Sequence, residues 1–181
     1  MRNGGCRGVN LRQIAARARC AHTNAYNYFD SLEDLFWEAL RQALESHTTD
    51  VEQQLGAAGG RAKPLQTLLS VSLEFAQRNP GLYRLCWIEP LTGEPPPVLL
   101  QRLDHLRQLW VRCIVARLTE LRSATDPRWA GQIIHGYFHG EVCKLIGRHA
   151  FLPAAKDDCA RIFANTLALV DLVAAKGGAP R

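Results

Sequence analysis

Within six positions the chain places His22, Thr23, Asn24, Tyr26 and Asn27, side chains of the kind that read the edge of a base pair. An Asn amide can donate to and accept from adenine in a two-bond fork, and a Thr methyl can meet the methyl of thymine. Asn10 and Arg12 stand just upstream. Taken singly, each of these residues is as well explained by local capping or solvation. Charge groups them. Residues 1–29 carry Arg2, Arg7, Arg12, Arg17 and Arg19 and no Asp or Glu, whereas the rest of the chain sets an equal number of basic residues against all 17 acidic ones. The formal charge of +5 therefore belongs to one end, the distribution expected where one end of a protein meets a polyanion.

A second group lies further on. Phe75, Tyr83, Trp87, Trp110, Cys113, His135, Tyr137 and His139 are suited to lining an apolar pocket with a few polar handles, and each also suits ordinary core packing. His135, His139 and Cys143 are spaced i, i+4, i+8. Neighbouring members of such a series can share an ion, but the third has turned ~80° around the helix, so no metal site and no cofactor are assigned. No nucleophile, base and orienting group form a local signature, which argues against an enzyme. The six cysteines contain no C-x-x-C pair and read as free thiols, mostly in the core.

The elements that must hold these residues are helices throughout. Leu11, Ile14, Ala15 and Ala18 make an i, i+3, i+4, i+7 stripe behind a candidate N-cap at Asn10, and Arg12 and Arg17 fall off that stripe. After a break at residues 19–22, Thr23 to Phe29 reads as a short second helix. Ser31 then caps a long one, with Glu33 and Asp34 in its first turn. Gly56-Ala57-Ala58-Gly59-Gly60 breaks the chain, Pro64 opens a helix that ends at Asn79-Pro80-Gly81, and a short helix follows. Beyond the proline-rich stretch Pro90 to Pro97, helices are expected from Val98 to about Arg122, from Asp126-Pro127 to about Arg148, and from Lys156 to Ala175. With 181 residues, 47% hydrophobic and 22% charged, the chain is neither disordered nor fibrous. No run approaches the ~20 apolar residues of a membrane span, and Met1 to Cys6 is not of signal-peptide type, so a cytoplasmic protein with no membrane partner is expected.

Two short adjacent helices inside the basic stretch are what a helix-turn-helix reader of the major groove needs. Residues 9–40, from Val9-Asn10-Leu11-Arg12-Gln13-Ile14-Ala15 through Tyr26-Asn27-Tyr28-Phe29-Asp30-Ser31-Leu32-Glu33-Asp34-Leu35, resemble the DNA-binding region of the tetracycline-repressor (TetR) family of transcriptional regulators. Phe75 to Leu85 resembles the ligand-domain helices of many members, and His135-Gly136 weakly resembles a His-Gly pair found in one class of them. The resemblance implies that Tyr26 touches a phosphate, that Asn10 opens the family's second helix in place of the usual threonine, and that His22, Thr23, Asn24 and Asn27 face the groove. Arg19 replaces a glycine common in the turn, and Leu32 replaces a lysine often found near a phosphate. The family's head begins with a further helix that Met1 to Gly8 is too short to supply. The sequence therefore reads as a late start or a truncated head, in which the inner faces of Leu11, Ile14, Tyr26 and Phe29 are partly wet, while Phe29 is still expected to pack in the core.

The expectation is an all-α protein with a partial helix-turn-helix head over residues 1–46 and a helical-bundle ligand-binding and dimerisation domain over residues 47–181. Its implied partners are double-stranded DNA bearing a near-palindromic operator, a small apolar effector, and a second copy of the chain docked through the last two helices. The effector would act by changing the separation or tilt of the two heads. An alternative reading is a helical ligand-binding or dimerisation protein whose truncated head no longer binds DNA.

Overall fold

Helix starts in this chain are written in short side chains that bond the first free amides. In the computed structural model, which describes residues 9–21, 26–59, 63–89, 91–147 and 157–177, Asn10 Oδ1 accepts from the Gln13 amide at 2.9 Å and opens α1, Leu11–Arg17. Ser31 Oγ accepts from the Asp34 amide at 3.0 Å and opens α2, Leu32–Ala58, whose first turn carries Glu33 and Asp34 against the positive end of the helix dipole. Prolines at the first turn, where the missing N–H costs nothing, open α3 (Pro64–Arg78), α4 (Pro80–Trp87), α5 (Pro97–Glu120) and α6 (Pro127–Gly147). The last helix, α7, is Asp158–Lys176. Among the described residues there are these seven helices and no strand.

Two helices end in the same way. After α1, Arg19 takes φ 55° while the Cys20 amide reaches back to the Ala15 carbonyl at 3.0 Å and the Arg19 amide to the Ala16 carbonyl at 3.3 Å. After α5, Arg122 takes φ 51°, with Ser123 bonded to Leu118 and Arg122 to Thr119, both at 3.0 Å. Each closure satisfies two carbonyls that the helix leaves free and needs one residue in the left-handed region, where glycine is the usual occupant. The turn that follows α1 thus keeps the shape a glycine would give it, with an arginine in the place.

Helix α3 is the hub of the bundle and packs against α2, α4, α5, α6 and α7. That position explains its composition: Leu65, Leu68, Leu69, Val71, Ser72, Leu73 and Ala76 are all buried, an apolar surface too wide for a helix with one side in water. Around it, Leu40, Leu44 and Val51 of α2, Leu106, Leu109 and Ile114 of α5, Ile134 and Phe138 of α6, and Ile162 and Val170 of α7 complete one continuous core. Truncating Leu68 or Leu69 to Ala would remove about 2–5 kcal/mol from this centre.

Polar contacts fix the rims. Arg102 bonds Glu45 at 2.8 Å and His105 bonds Glu52 at 2.9 Å, a seam joining α5 to α2. In the connection between α4 and α5, Thr92 Oγ1 donates to Glu33 at 3.2 Å and so reaches the first turn of α2. Ser123 Oγ and Thr125 Oγ1 donate to the carbonyls of Ala174 and Val173 at 2.7 and 3.2 Å, which places the α5–α6 turn over the free carbonyls at the end of α7. The division expected near residues 46 and 47 falls inside the single helix α2. No helix of the described residues is long and apolar enough to cross a membrane.

Candidate nucleic-acid interface and aromatic-histidine site

The basic end presents its charge outward. Leu11 and Ala15 turn the inner face of α1 into the protein and are buried, Ile14 is half-buried, and Arg12, Gln13, Arg17 and Arg19 are exposed. His22, Thr23 and Asn24 lie outside the described residues, and where a short helix was expected from Thr23 to Phe29, Tyr26, Asn27 and Tyr28 form a turn. Tyr26 is 53% and Tyr28 80% exposed, with Asn27 exposed between them. Two exposed aromatic rings at the basic end are suited to stacking or to phosphate contact. Of the residues expected to be partly wet, Leu11 is only 6% exposed and corrects that expectation, whereas Ile14 and Phe29 are half-buried and Tyr26 is exposed, in line with it. Phe29 corrects the opposite expectation: it is half-buried rather than a core residue.

In the body, helices α4, α5 and α6 bring five of the eight expected pocket residues into one aromatic assembly. The Tyr83 hydroxyl lies 2.8 Å from His139 Nδ1, and the two rings stack at 5.8 Å. Trp87 meets His135 and His139 edge-on at 5.9 and 6.1 Å. Trp110 meets His135 at 5.0 Å and Phe138 at 5.4 Å. His135 and His139, one turn apart on α6, stack in parallel at 6.1 Å. Burial lowers the affinity of both imidazoles for a proton, and for His135 the nearby His139 adds to it, so both rings are neutral near pH 7. The same burial raises the Tyr83 phenol and the Cys143 thiol above their ordinary values.

The remaining three lie apart from that assembly in different ways. Phe75 packs on the other side of α3, with its ring 4.9 Å from that of His47. Tyr137 is half-buried on α6, two residues from His135 and His139 and so turned to another face. Cys113 is buried in the α5 core, and its thiol is pushed up to about 11 by burial. The expectation of mostly buried cysteines is corrected for the described residues: Cys113 alone is buried, Cys86, Cys143 and Cys159 are half-buried and Cys20 is exposed.

An apolar cleft of about 230 Å³ lies elsewhere, where α2, α4 and α5 meet the segment between α4 and α5, and its lining includes Trp37, Leu40, Cys86, Leu91, Leu99 and Leu103. Sequence reasoning missed it because the helical residues among these read as parts of ordinary apolar stripes and Leu91 reads as a loop residue. The one signal that could have found it was the proline-rich segment, which cannot pack as a helix and leaves a gap beside the start of α2. Among the described residues no three His, Cys, Asp or Glu side chains converge in a way that could hold a metal ion.

An all-helical body carrying an exposed basic head defines the class, and comparison with known proteins supports it. No family model matches the chain. The chain is similar to the nucleoid occlusion factor SlmA of Pasteurella multocida (strain Pm70), at 27% identity over 117 residues that cover 62% of this chain and 58% of that protein. The chain thus spans less than two thirds of the length of the relative it matches.

Proposed function

We propose that this protein is a DNA-binding transcriptional regulator of TetR type, acting as a repressor that a small apolar ligand releases or modulates. The observation that carries the reading is the exposed basic face of α1, capped by Asn10 and followed by exposed Tyr26, Asn27 and Tyr28, on a body with no net charge of its own. Arg12 and Tyr26 would contact phosphates and set orientation, while Asn27, with His22, Thr23 and Asn24, would read base edges. The ligand reading is supported by the neutral histidines and tryptophans of the aromatic assembly and by the apolar cleft beside Trp37, both of which suit a largely hydrophobic molecule with one hydrogen-bonding group. No catalytic role is proposed.

The test is selection from random duplexes with the full chain, followed by affinity measurements across salt concentrations. A near-palindromic site bound with a steep salt dependence is expected. Arg12→Ala and Tyr26→Phe should weaken binding to all sequences, and Arg12→Ala should lower the salt slope by about one. Asn27→Ala should relax sequence preference. Absence of any salt-dependent duplex binding overturns the regulator reading in favour of a helical ligand-binding or dimerisation protein.

A further inference from the structure

Among the described residues that line the apolar cleft beside Trp37, Glu89 is the one charged side chain. We propose that this cleft binds a small hydrophobic amine, one aromatic ring on a short chain whose ammonium group docks on the Glu89 carboxylate. The inference rests on the reading that the body takes a small effector, and it names the site and the chemical class of that molecule.

Size sets the body of the ligand. The cleft measures about 230 Å³, more than the ~150 Å³ that holds a benzene ring and less than the ~300 Å³ at which drug-sized sites begin. A single ring with a short chain fits that space. Leu40, Leu99 and Leu103 supply aliphatic walls, and Trp37, half-buried on α2, supplies an aromatic one against which a second ring can pack. The wall formed by Leu91 and Pro95 is held in place, because Thr92 between them bonds Glu33 of α2 at 3.2 Å.

Charge sets the end group. Glu89 follows the end of α4, where its amide donates to the Arg84 carbonyl at 2.8 Å and its Oε1 accepts from Arg84 Nε at 3.0 Å. These two bonds fix a carboxylate whose side chain is 16% exposed. A carboxylate only accepts, so the ligand atom that meets it must donate. An ammonium does so about twice as strongly as a neutral donor, and an anion is repelled. Arg84 does not use up the capacity of the group: Glu141, with a side chain only 9% exposed, holds Lys144 on Oε1 and Arg161 on Oε2 at the same time. The Cys86 thiol in the lining adds no charge, since burial pushes it up to about 12. A neighbouring groove shares Trp37 and Leu99 with the cleft and carries Asp34 and Glu38 against Arg41, so the approach also favours a cation.

Three probes share a phenyl ring and a two-carbon chain and differ at the end: 2-phenylethylamine, 2-phenylethanol and 3-phenylpropionate. Calorimetric titration into the full chain at pH 7 should rank the amine at least about tenfold above the alcohol, with the propionate weakest. The net charge of +5 would by itself favour the anion, so this order reports the local carboxylate. Glu89→Gln should remove the advantage of the amine and leave the alcohol within about threefold of wild type. Glu94→Gln, at an exposed position outside the lining, should keep the order. Should Glu89→Gln lose its helical circular dichroism, Trp37→Leu decides: a fall of at least about threefold in amine affinity supports the proposal, and any smaller fall overturns it. An amine advantage that survives in folded Glu89→Gln overturns it. Binding of the alcohol or the propionate as tightly as the amine overturns the amine assignment and leaves the effector reading standing. Binding of none of the three overturns the assignment as well, and the effector reading falls with it only if a chemically mixed library also shows no binding.

Discussion

Glu141 and Arg161 bind α6 to α7 through a carboxylate that is only 8% exposed, with Arg161 Nη1 2.9 Å from Glu141 Oε2. Lys144, one turn along α6, bonds the other oxygen and is the larger influence holding the carboxyl below its ordinary range, with Arg161 second. A carboxylate whose folded value is depressed adds stability that is complete above the unfolded range, near pH ~4.3, and is lost as pH falls through the folded value. Glu141→Gln should therefore cost about 1–3 kcal/mol at pH 7, since the buried carboxylate's charge-assisted bonds to the exposed Arg161 and Lys144 become neutral ones. The gap between wild type and variant should close on acidification below about pH 4, and urea denaturation at several pH values checks this.

Arg19 and Arg122 each occupy a left-handed turn position at φ 55° and 51°. An L side chain pays roughly 1–2 kcal/mol there that glycine does not, partly offset by the looser unfolded chain. Arg19→Gly and Arg122→Gly should each raise stability by up to about 1 kcal/mol, read as a higher Tm. The corresponding Ala variants should gain nothing. Arg19→Gly should also weaken the proposed DNA binding, because it removes a charge from the basic face, and Arg122→Gly should not.

His47 joins α2 to α3, with Nε2 3.3 Å from Ser72 Oγ and Nδ1 buried without a hydrogen-bond partner among the described residues. Burial lowers its value from 6.5 to about 4, against a smaller opposing influence of Asp50. Between those values the unfolded chain binds a proton that the folded protein refuses, so stability falls as pH drops from 6.5 toward 4. The full effect is about 3 kcal/mol. His47→Leu should flatten that part of the stability profile. An unchanged slope would assign the pH dependence to another group.

The outer faces of α6 and α7 carry more apolar surface than one protomer covers. Trp129, Ile133 and Tyr137 are half-buried on α6, Phe163 and Leu167 on α7, and Leu172 is 67% exposed. We expect these faces to meet their symmetry mates in a two-fold dimer. Sedimentation of the wild type at micromolar concentration should show a dimer, and Leu172→Asp should shift it to monomer with little change in helix content. A monomeric wild type would end this reading.

The residues that end and begin helices were legible in the sequence because they act over three or four positions. Asn10 and Ser31 cap as their spacing implied, Asp126 bonds the Arg128 amide at 2.8 Å, and Pro64 and Pro127 fall at the first turns expected, whereas Pro97, read as the end of the loop, is the first residue of its helix. The charge separation needed no structure at all, since it is a count along the chain. Arg19 shows the limit of local reasoning. Its replacement of a glycine was plain, but that the turn keeps the glycine shape depends on the two bonds returning to Ala15 and Ala16.

Which side chains meet across helices was decided only by the tertiary structure. Tyr83, Trp87, Trp110, His135 and His139 share one assembly, while Phe75, equally plausible by type and spacing, turned to His47. The 3.6-residue period determines which residues share a face of a helix. It does not determine which neighbour that face meets, because α3 is surrounded by five helices and each of its faces has its own partner. Tyr83 and His139 are 56 residues apart in sequence, and only the docking of α4 against α6 sets the phenol on that imidazole. By itself the sequence determined the helices, their caps and the basic end. The distances that allow chemistry arose from how those helices packed, a balance of many weak contacts across the core that no single segment encodes.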